Sequence, residues 1–383
     1  MMKTPVVAHV VVGLQVGGLE RVVVNLALGT RAHGYAPLVV CLDEPGELAA
    51  ELTDSEVPVY ALHKRPGRDW RTVLRLAALL RRERVSLIHT HNPMPHFHGT
   101  LAAMLAGVRA RIHTKHGRNY PEDRGRVLQN RWLSMAASMI VPVSGDVNRV
   151  VLEIERVPPR KTRLILNGVD TNRYRPPPDK VELDGGPRRH SFTIGTVARL
   201  SPEKDQGMML SAFALLLEKR ADARLIFVGD GPSASELRAH AETLGIAAQV
   251  EFRGQRRDIP AQLGAFDLFT LSSQTEGLSM TILEAMASGL PVVATDVGGN
   301  RECVQPPECG LIVAPGDPKA LAAAWLKVLV DAEAARRMGV ASRHRAEAVF
   351  SLEQMTARYA HLYDEILGRG RKTERGTACI VSG

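Results

Sequence analysis

Short apolar runs alternate with helix-length segments along the whole chain, and this alternation constrains the fold more than any single motif. The runs VVAHVVV (6–12), APLVVCL (36–42), VSLIHTH (85–91), ARIHTKH (110–116), MIVPVS (139–144) and TRLILNG (162–168) are apolar at most positions. Between them lie stretches such as LERVVVNLALGTRAHG, where apolar residues recur three and four apart until Gly34 marks a stop. Strands that are apolar on both faces, joined by helices, build βαβ units around a buried parallel sheet. The plan breaks at NRYRPPPDKVELDGGPRRH (172–190), whose adjacent prolines, paired glycines and dense charge sustain neither helix nor strand. It then restarts with SFTIGTVARL (191–200), ARLIFVGDG (223–231), QVEFRGQ (249–255), AFDLFTLSS (265–273), LPVVATDVGG (290–299) and GLIVAPGD (310–317).

The expected architecture is therefore α/β, with two doubly wound domains facing each other across a cleft and ligands at the carboxyl ends of the strands. The expected boundaries are 1–171, a linker over 172–190, and 191–350. The amphipathic helix of 351–367 rejoins the first domain, and a polar tail over 368–383 is read as disordered.

A chain of 383 residues, 45% of them apolar, has material for two such cores. Lys and Arg outnumber Asp and Glu by 49 to 41, a formal charge of +8, which favours anionic partners such as nucleotides, phosphates or a lipid surface. Aromatic residues are only 4% and do not interleave with basic runs, so the stacking platforms of nucleic-acid binders are missing. Cys41, Cys303, Cys309 and Cys379 form neither a CxxC pair nor a disulfide framework, which suits the reducing cytoplasm. No apolar run reaches the roughly 18 residues of a membrane span, and glycines and Gln15 interrupt the N-terminal one. The reading is a cytoplasmic protein, peripheral at most to the inner face of a membrane.

Several stretches carry chemistry. Gly17 and Gly18 stand between the first strand and a helix, where they form a tight turn or an anion pocket at the helix N-terminus; their spacing from Gly13 does not match the dinucleotide pattern GxGxxG. Gly229 and Gly231 of VGDGP also follow a strand. Arg199 and Lys204 lie five apart in a strand-to-helix loop, either as solvated charges or converging on a diphosphate. His89, His91, His96 and His98 raise the question of zinc, but intervening prolines and the lack of nearby carboxylates favour a polar loop lining the cleft. His116 ends a strand at the expected mouth of that cleft. The segment 64–85 holds an amphipathic helix with Leu74, Leu76, Leu79 and Leu80 opposite many arginines, either an ordinary surface helix or a contact for anionic lipid.

In TEGLSMTILEAMASGLPVVATDVGGNRE (275–302), Glu276 and Glu284 bracket a helix start expected near Met280, with Gly289 as the stop. If the whole span were helical, the two carboxylates would lie roughly 12 Å apart along the axis. The N–H groups of Leu278 and Ser279 would then sit between them, with Gly277 leaving room for a ligand.

Taken together with GGLE (17–20), NGVD (167–170), ARLSPEKD (198–205), VGDGP (228–232) and GLPVVATDVGGNRE (289–302), this E-x7-E segment resembles glycosyltransferase family 4, retaining enzymes of the GT-B fold. The resemblance runs in order over about residues 6–365. It implies that Glu276 contacts the donor sugar and Glu284 the ribose. It also implies that Arg199 and Lys204 neutralise the diphosphate, that Gly18 gives it a backbone N–H, and that His116 approaches the transferring sugar. The physical reading agrees, because the departing nucleoside diphosphate must be met by fixed donors, and two cations and two helix N-termini supply them.

No D-x-D pair occurs, so neither metal nor other cofactor is expected. On chemistry alone Glu276 would qualify as the nucleophile of a double displacement. The resemblance instead implies front-face attack, with Glu276 orienting the sugar. The expectation is a retaining hexosyltransferase, UDP-sugar-dependent by preference, acting on a glycan or lipid-linked glycan in exopolysaccharide or cell-envelope synthesis. The N-terminal domain would take acceptor and the C-terminal domain donor. GDP-sugar-dependent mannosyl transfer, a nucleotide-sugar epimerase and a non-catalytic nucleotide-sugar-binding module are the alternatives.

Overall fold

The computed structural model describes residues 4–67, 69–118, 122–177 and 192–369. Most of the linker, residues 178–190, and nearly all of the C-terminal tail, including Cys379, lie outside the described residues.

The strands form two six-stranded sheets. The first contains β1 (Val6–Val11), β2 (Ala36–Cys41), β3 (Val59–Ala61), β4 (Leu87–His91), β5 (Ala110–Lys115) and β6 (Met139–Pro142), in the order β3-β2-β1-β4-β5-β6. The second contains β7 (Thr193–Val197), β8 (Arg224–Val228), β9 (Val250–Phe252), β10 (Leu268–Leu271), β11 (Val292–Thr295) and β12 (Gly310–Val313), in the order β12-β11-β10-β7-β8-β9. Neighbouring strands are parallel in both, and both follow the same double winding. Each sheet thus reverses direction once, between β1 and β4 and between β7 and β10, and loops diverge there to open a crevice.

Eleven of the twelve strands match runs expected from sequence. Val59–Ala61 was not foreseen, being a three-residue edge strand. TRLILNG, in contrast, is not a strand. It meets β6 only where Arg163 N and Ile165 N donate to the Ile140 and Pro142 carbonyls, then peels away so that Asn167 Nδ2 reaches the Leu278 carbonyl at 3.5 Å.

The helices that matter for the site begin with α1 (Gly18–Arg31), α2 (Ala49–Asp54), α3 (Trp70–Arg82), α4 (Pro93–Ala106), α5 (Arg124–Ala136) and α6 (Gly145–Arg149). After the second sheet starts come α7 (Gln206–Leu217), α8 (Ala234–Thr243), α9 (Ile259–Gly264), α10 (Met280–Ala287), α11 (Asn300–Val304), α12 (Pro318–Val330), α13 (Ala332–Val349) and α14 (Leu352–Leu367). The last of these, capped by Ser351 and ended by Gly368 in the left-handed region, returns to the first sheet. Tyr359 and Tyr363 are fully buried there, bonded to Thr114 Oγ1 at 2.9 Å and to His89 Nδ1 at 2.7 Å. Burying two such rings contributes roughly 2–3 kcal/mol each, enough to fix the helix end to end.

Helix α3 follows the expected amphipathic pattern with one exception. Leu76, Leu79 and Leu80 are buried, but Leu74 is 62% exposed beside Trp70 at 59%, one turn earlier. Leu74 falls on the opposite face from the core stripe because Val73, Leu76, Ala77 and Leu80 complete that stripe without it. Among the described residues no helix is long and apolar enough to cross a membrane.

Candidate active site

The two sheets turn their carboxyl ends toward one another, and the loops at both reversal points meet. Helix α1 starts at Gly18 with Gly17 as an extended N-cap lacking any side-chain cap. A Cβ on Gly18 would stand 3.4 Å from Met280 Cγ, so the N-terminus of α1 lies against that of α10. Two helix dipoles therefore direct their positive ends into one region. The α1 end is covered from within, since a Cβ on Gly17 would collide with the Glu20 carboxylate. Burial raises the Glu20 carboxyl above its ordinary range.

On the second sheet, β10 delivers Ser272 and Ser273 and the loop continues to Ser279, which caps α10 by accepting from Ile282 N at 3.4 Å. Glu276 is in this loop rather than on the helix, so the separation along a common helical axis expected from sequence does not apply. Its Oε1 accepts from Lys204 Nζ at 2.6 Å and from Ser273 Oγ at 2.7 Å. Lys204 itself closes a single 3₁₀ turn, Pro202–Lys204, and Ser272 Oγ donates to its carbonyl at 2.8 Å. Glu276 and Lys204 are only 10% and 23% exposed, so removing one leaves the other charge poorly solvated. Arg199, in the loop after β7, remains exposed on the same side of the sheet.

Glu284, on the second turn of α10, is buried, and loss of water raises its carboxyl to about 7. A hydrogen bond from Tyr174 and the charges of Arg173 and Arg21 oppose that rise. Sequence reasoning missed these three partners. Arg21 projects from α1 and is held by Glu51 at 2.5 Å. Arg173 and Tyr174 fall in the segment read as linker, but 172–177 begins as a bonded turn. Asp170 of NGVD accepts from Asn172 N at 3.0 Å and Arg173 N at 2.9 Å, and Arg343 Nη1 holds the Tyr174 carbonyl at 2.6 Å. The clue was the capping pattern D-x-N-R, an Asx turn, ahead of the prolines.

Gly277 brings the two halves into contact. Any Cβ there would collide with the His116 carbonyl, so the space given to the donor from sequence is occupied by backbone of the first half. The trailing glycines fix the same junction: Gly299 N donates to the Gly277 carbonyl at 2.8 Å. Glu302 of that motif accepts from Gly145 N at 2.7 Å, the start of α6.

On the first sheet, His116 follows β5 at the cleft edge. Its Nε2 meets His91 Nδ1 at 3.0 Å, and desolvation lowers its pKa to about 3, so the ring is neutral. His89, His91, His96 and His98 do not form a cleft-lining loop. They occupy β4 and the first turns of α4 and are all buried, because α4 begins at Pro93 directly after the strand. His9, His89 and His91 come close enough to share a metal ion. However, both His89 nitrogens are committed, Nδ1 to Tyr363 OH and Nε2 to Thr114 Oγ1, each at 2.7 Å.

This arrangement places cations and helix N-termini for an anion, flanked by two carboxylates for hydroxyl groups. Residues 16–173 match the family model described as Glycosyltransferase Family 4, and residues 184–345 match Glycosyl transferases group 1. The chain belongs to glycosyltransferase family 4. It is a glycosyltransferase of GT-B fold. The Bacillus subtilis (strain 168) protein EpsD is 31% identical over 68% of this chain and 71% of its own length. An Escherichia coli enzyme, UDP-Gal:alpha-D-GlcNAc-diphosphoundecaprenol alpha-1,3-galactosyltransferase, is 28% identical over 85% of this chain and 88% of its own. Among solved structures, Anabaena HepE in complex with UDP superposes with a TM-score of 0.83 at 23% identity, covering 94% of this chain and all of that one.

Proposed function

We propose that this family 4 glycosyltransferase moves a hexose from a UDP-sugar to a glycan or lipid-linked glycan, with retention and without a metal, in exopolysaccharide or cell-envelope synthesis. The observation that carries the reading is the grouping around α10. Glu276 is held by Lys204 and Ser273 at the helix mouth and Glu284 is buried on the second turn of α10, with the N-cap Ser279 between them in the chain.

In this reading the diphosphate takes the α10 N-terminus, Lys204 and Arg199, so the leaving charge is met by fixed groups at no reorganisation cost. Gly18 adds the α1 terminus from across the cleft. Glu284 accepts from the ribose and Glu276 from the sugar, whose reacting face turns toward His116. The second domain holds donor and the first holds acceptor, through the loops after β4 and β5.

A UDP donor is favoured by the Escherichia coli enzyme, whose similarity spans most of both chains and whose name specifies UDP-Gal and a diphosphoundecaprenol-linked acceptor. A GDP-mannose donor is the second reading. The Rhizobium meliloti (strain 1021) lipopolysaccharide core mannosyltransferase LpsB is 36% identical, but over only 53% of this chain. We also place the enzyme at the inner face of the membrane, because Trp70 and Leu74 stand exposed beside Arg71 and Arg75 on α3, a pattern suited to anionic lipid.

A thermal-shift panel of UDP-, GDP- and ADP-sugars, with and without EDTA, tests donor and metal together. Stabilisation by a UDP-sugar, unchanged by EDTA, is expected. Stabilisation only by GDP-mannose, or only with a divalent cation, overturns that part of the reading. Transfer to undecaprenyl-diphosphate-linked sugar, with the anomeric configuration read by NMR, tests acceptor class and retention.

A further inference from the structure

Three histidines, on β1, on β4 and directly after β5, form a continuous hydrogen-bonded line. His9 Nδ1 meets His91 Nε2 at 3.2 Å, and His91 Nδ1 meets His116 Nε2 at 3.0 Å. The line leaves two ends, His9 Nε2 in the core and His116 Nδ1 at the cleft edge, both buried and both without a partner among the described residues. His89 stacks against His91 with ring centroids 4.2 Å apart, yet its nitrogens are bonded elsewhere, so it packs the line without joining it.

A neutral imidazole carries one N–H and one lone pair. Three neutral rings joined by two hydrogen bonds must therefore all point the same way, and only two registers exist. In the inward register the terminal N–H falls on His9 Nε2, where no acceptor is within reach. In the outward register it falls on His116 Nδ1, equally buried but on a half-buried residue after β5, the end of the line nearer the proposed sugar site. An orphaned buried donor is the rarer and costlier defect, and only the outward end can ever be relieved.

We infer that His9 and His91 are positioning residues that hold His116 as its Nδ1–H tautomer, so that the ring offers substrate a hydrogen-bond donor rather than a base. The inference rests on the proposed placement of His116 beside the transferring sugar. It gives that residue a definite role: donating to a sugar or acceptor oxygen and orienting it, with no proton lost. It also accounts for His9 and His91, buried polar groups that the reaction otherwise leaves unused. All three rings are kept neutral by burial, as the line requires.

The test is ¹⁵N NMR of histidine-labelled full-length protein with UDP bound, in which the two tautomers have distinct nitrogen shifts, together with steady-state donor hydrolysis. The expected result is a single Nδ1–H tautomer for His116, whereas free imidazole side chains in water prefer Nε2–H. His91→Phe keeps the ring volume and removes both bonds. It should convert His116 largely to Nε2–H and lower kcat about 10- to 100-fold, the scale of a misoriented catalytic group, with KM for donor within about twofold. His9→Phe, at the far end from the cleft, should produce the same tautomer change with a smaller fall in kcat, and it decides the matter if His91→Phe fails to fold. An Nε2–H tautomer in the unaltered protein, or an unchanged tautomer and kcat in the variants, overturns the relay. If His116→Ala leaves turnover intact while the tautomer follows the relay, the placement of His116 beside the sugar is what fails.

Discussion

At the cleft edge of the first sheet most of the buried polar groups are neutral, histidines, threonines and tyrosines bonded to one another, with one buried ion pair, Lys115–Glu155, beside them. At the same edge of the second sheet they are charged, Lys204 with Glu276 and exposed Arg199, above the buried Glu284 carboxyl whose pKa rises to about 7. Two sheets of the same winding have thus been finished with different chemistry. A buried network of neutral donors and acceptors discriminates hydroxyl groups by geometry, while fixed charges at a helix start bind an anion and stabilise it as it leaves. The two edges also respond to pH in opposite senses, which makes the contrast measurable.

The largest expected effect is acid unfolding of the first half. His9, His96 and His116 have pKa values near 3 in the fold against an ordinary 6.5. The unfolded chain therefore binds protons that the native one refuses, and stability is lost as pH falls below 6.5. At pH 5 each costs about 2 kcal/mol, so these three together remove about 6 kcal/mol from a domain stability of roughly 5–15 kcal/mol. Single-tryptophan variants separate the halves, with Trp132 reporting the first and buried Trp325 the second. Trp132 should change near pH 5 and Trp325 at lower pH; a coincident transition would remove the distinction.

Next in size is Gly277→Ala. A methyl group there meets the His116 carbonyl and must push the two edges apart, so donor turnover should fall roughly 100-fold and the melting temperature should fall with it. Unchanged turnover would mean that the contact between the halves does not set the site.

Glu284 gives the opposite pH dependence. Its folded pKa of about 7 exceeds the ordinary 4.5, so the native state keeps a proton the unfolded chain has lost, and stability falls as pH rises from 4.5 to 7. Above pH 7 the cost is about 3 kcal/mol. Glu284→Gln should therefore match the unaltered protein near pH 4.5 and exceed its stability by up to that amount at pH 8, while binding donor more weakly. Equal stability at both pH values would show that the carboxyl is not strained by burial. The smallest effect concerns the outer surface: Trp70→Ser with Leu74→Ser should weaken binding to phosphatidylglycerol vesicles about tenfold without altering donor affinity.

The two sheets were legible in sequence because strands buried on both faces leave short apolar runs that recur between helix-length segments. Val59–Ala61 escaped because three residues at a sheet edge leave no such run, and TRLILNG misled because its apolar side chains pack between the halves instead of within a sheet. Glu276 and Glu284 could be picked out by their charge in a stretch that otherwise lacks it, and Lys204 by its place with Arg199 in a strand-to-helix loop. Their pairing could not, since Lys204 and Glu276 are 72 residues apart and meet only through two loops. Arg21 and Tyr174 lay in segments whose local pattern said helix and linker, and nothing local in either points to Glu284. The histidine line was least legible of all. His9 and His91 lie on separate strands and His116 directly after a third, and only the order β1-β4-β5 makes them neighbours.

The central claim is that the donor diphosphate sits at the start of α10 between the two carboxylates, met by Lys204 and Arg199. Isothermal titration of UDP into the unaltered enzyme, Lys204→Ala and Arg199→Ala, with folding checked in parallel, tests it without any acceptor. The account predicts that each variant raises Kd by about tenfold or more, equal to at least 1.4 kcal/mol per lost cation. A Kd unchanged in both folded variants would contradict it and move the diphosphate elsewhere in the cleft.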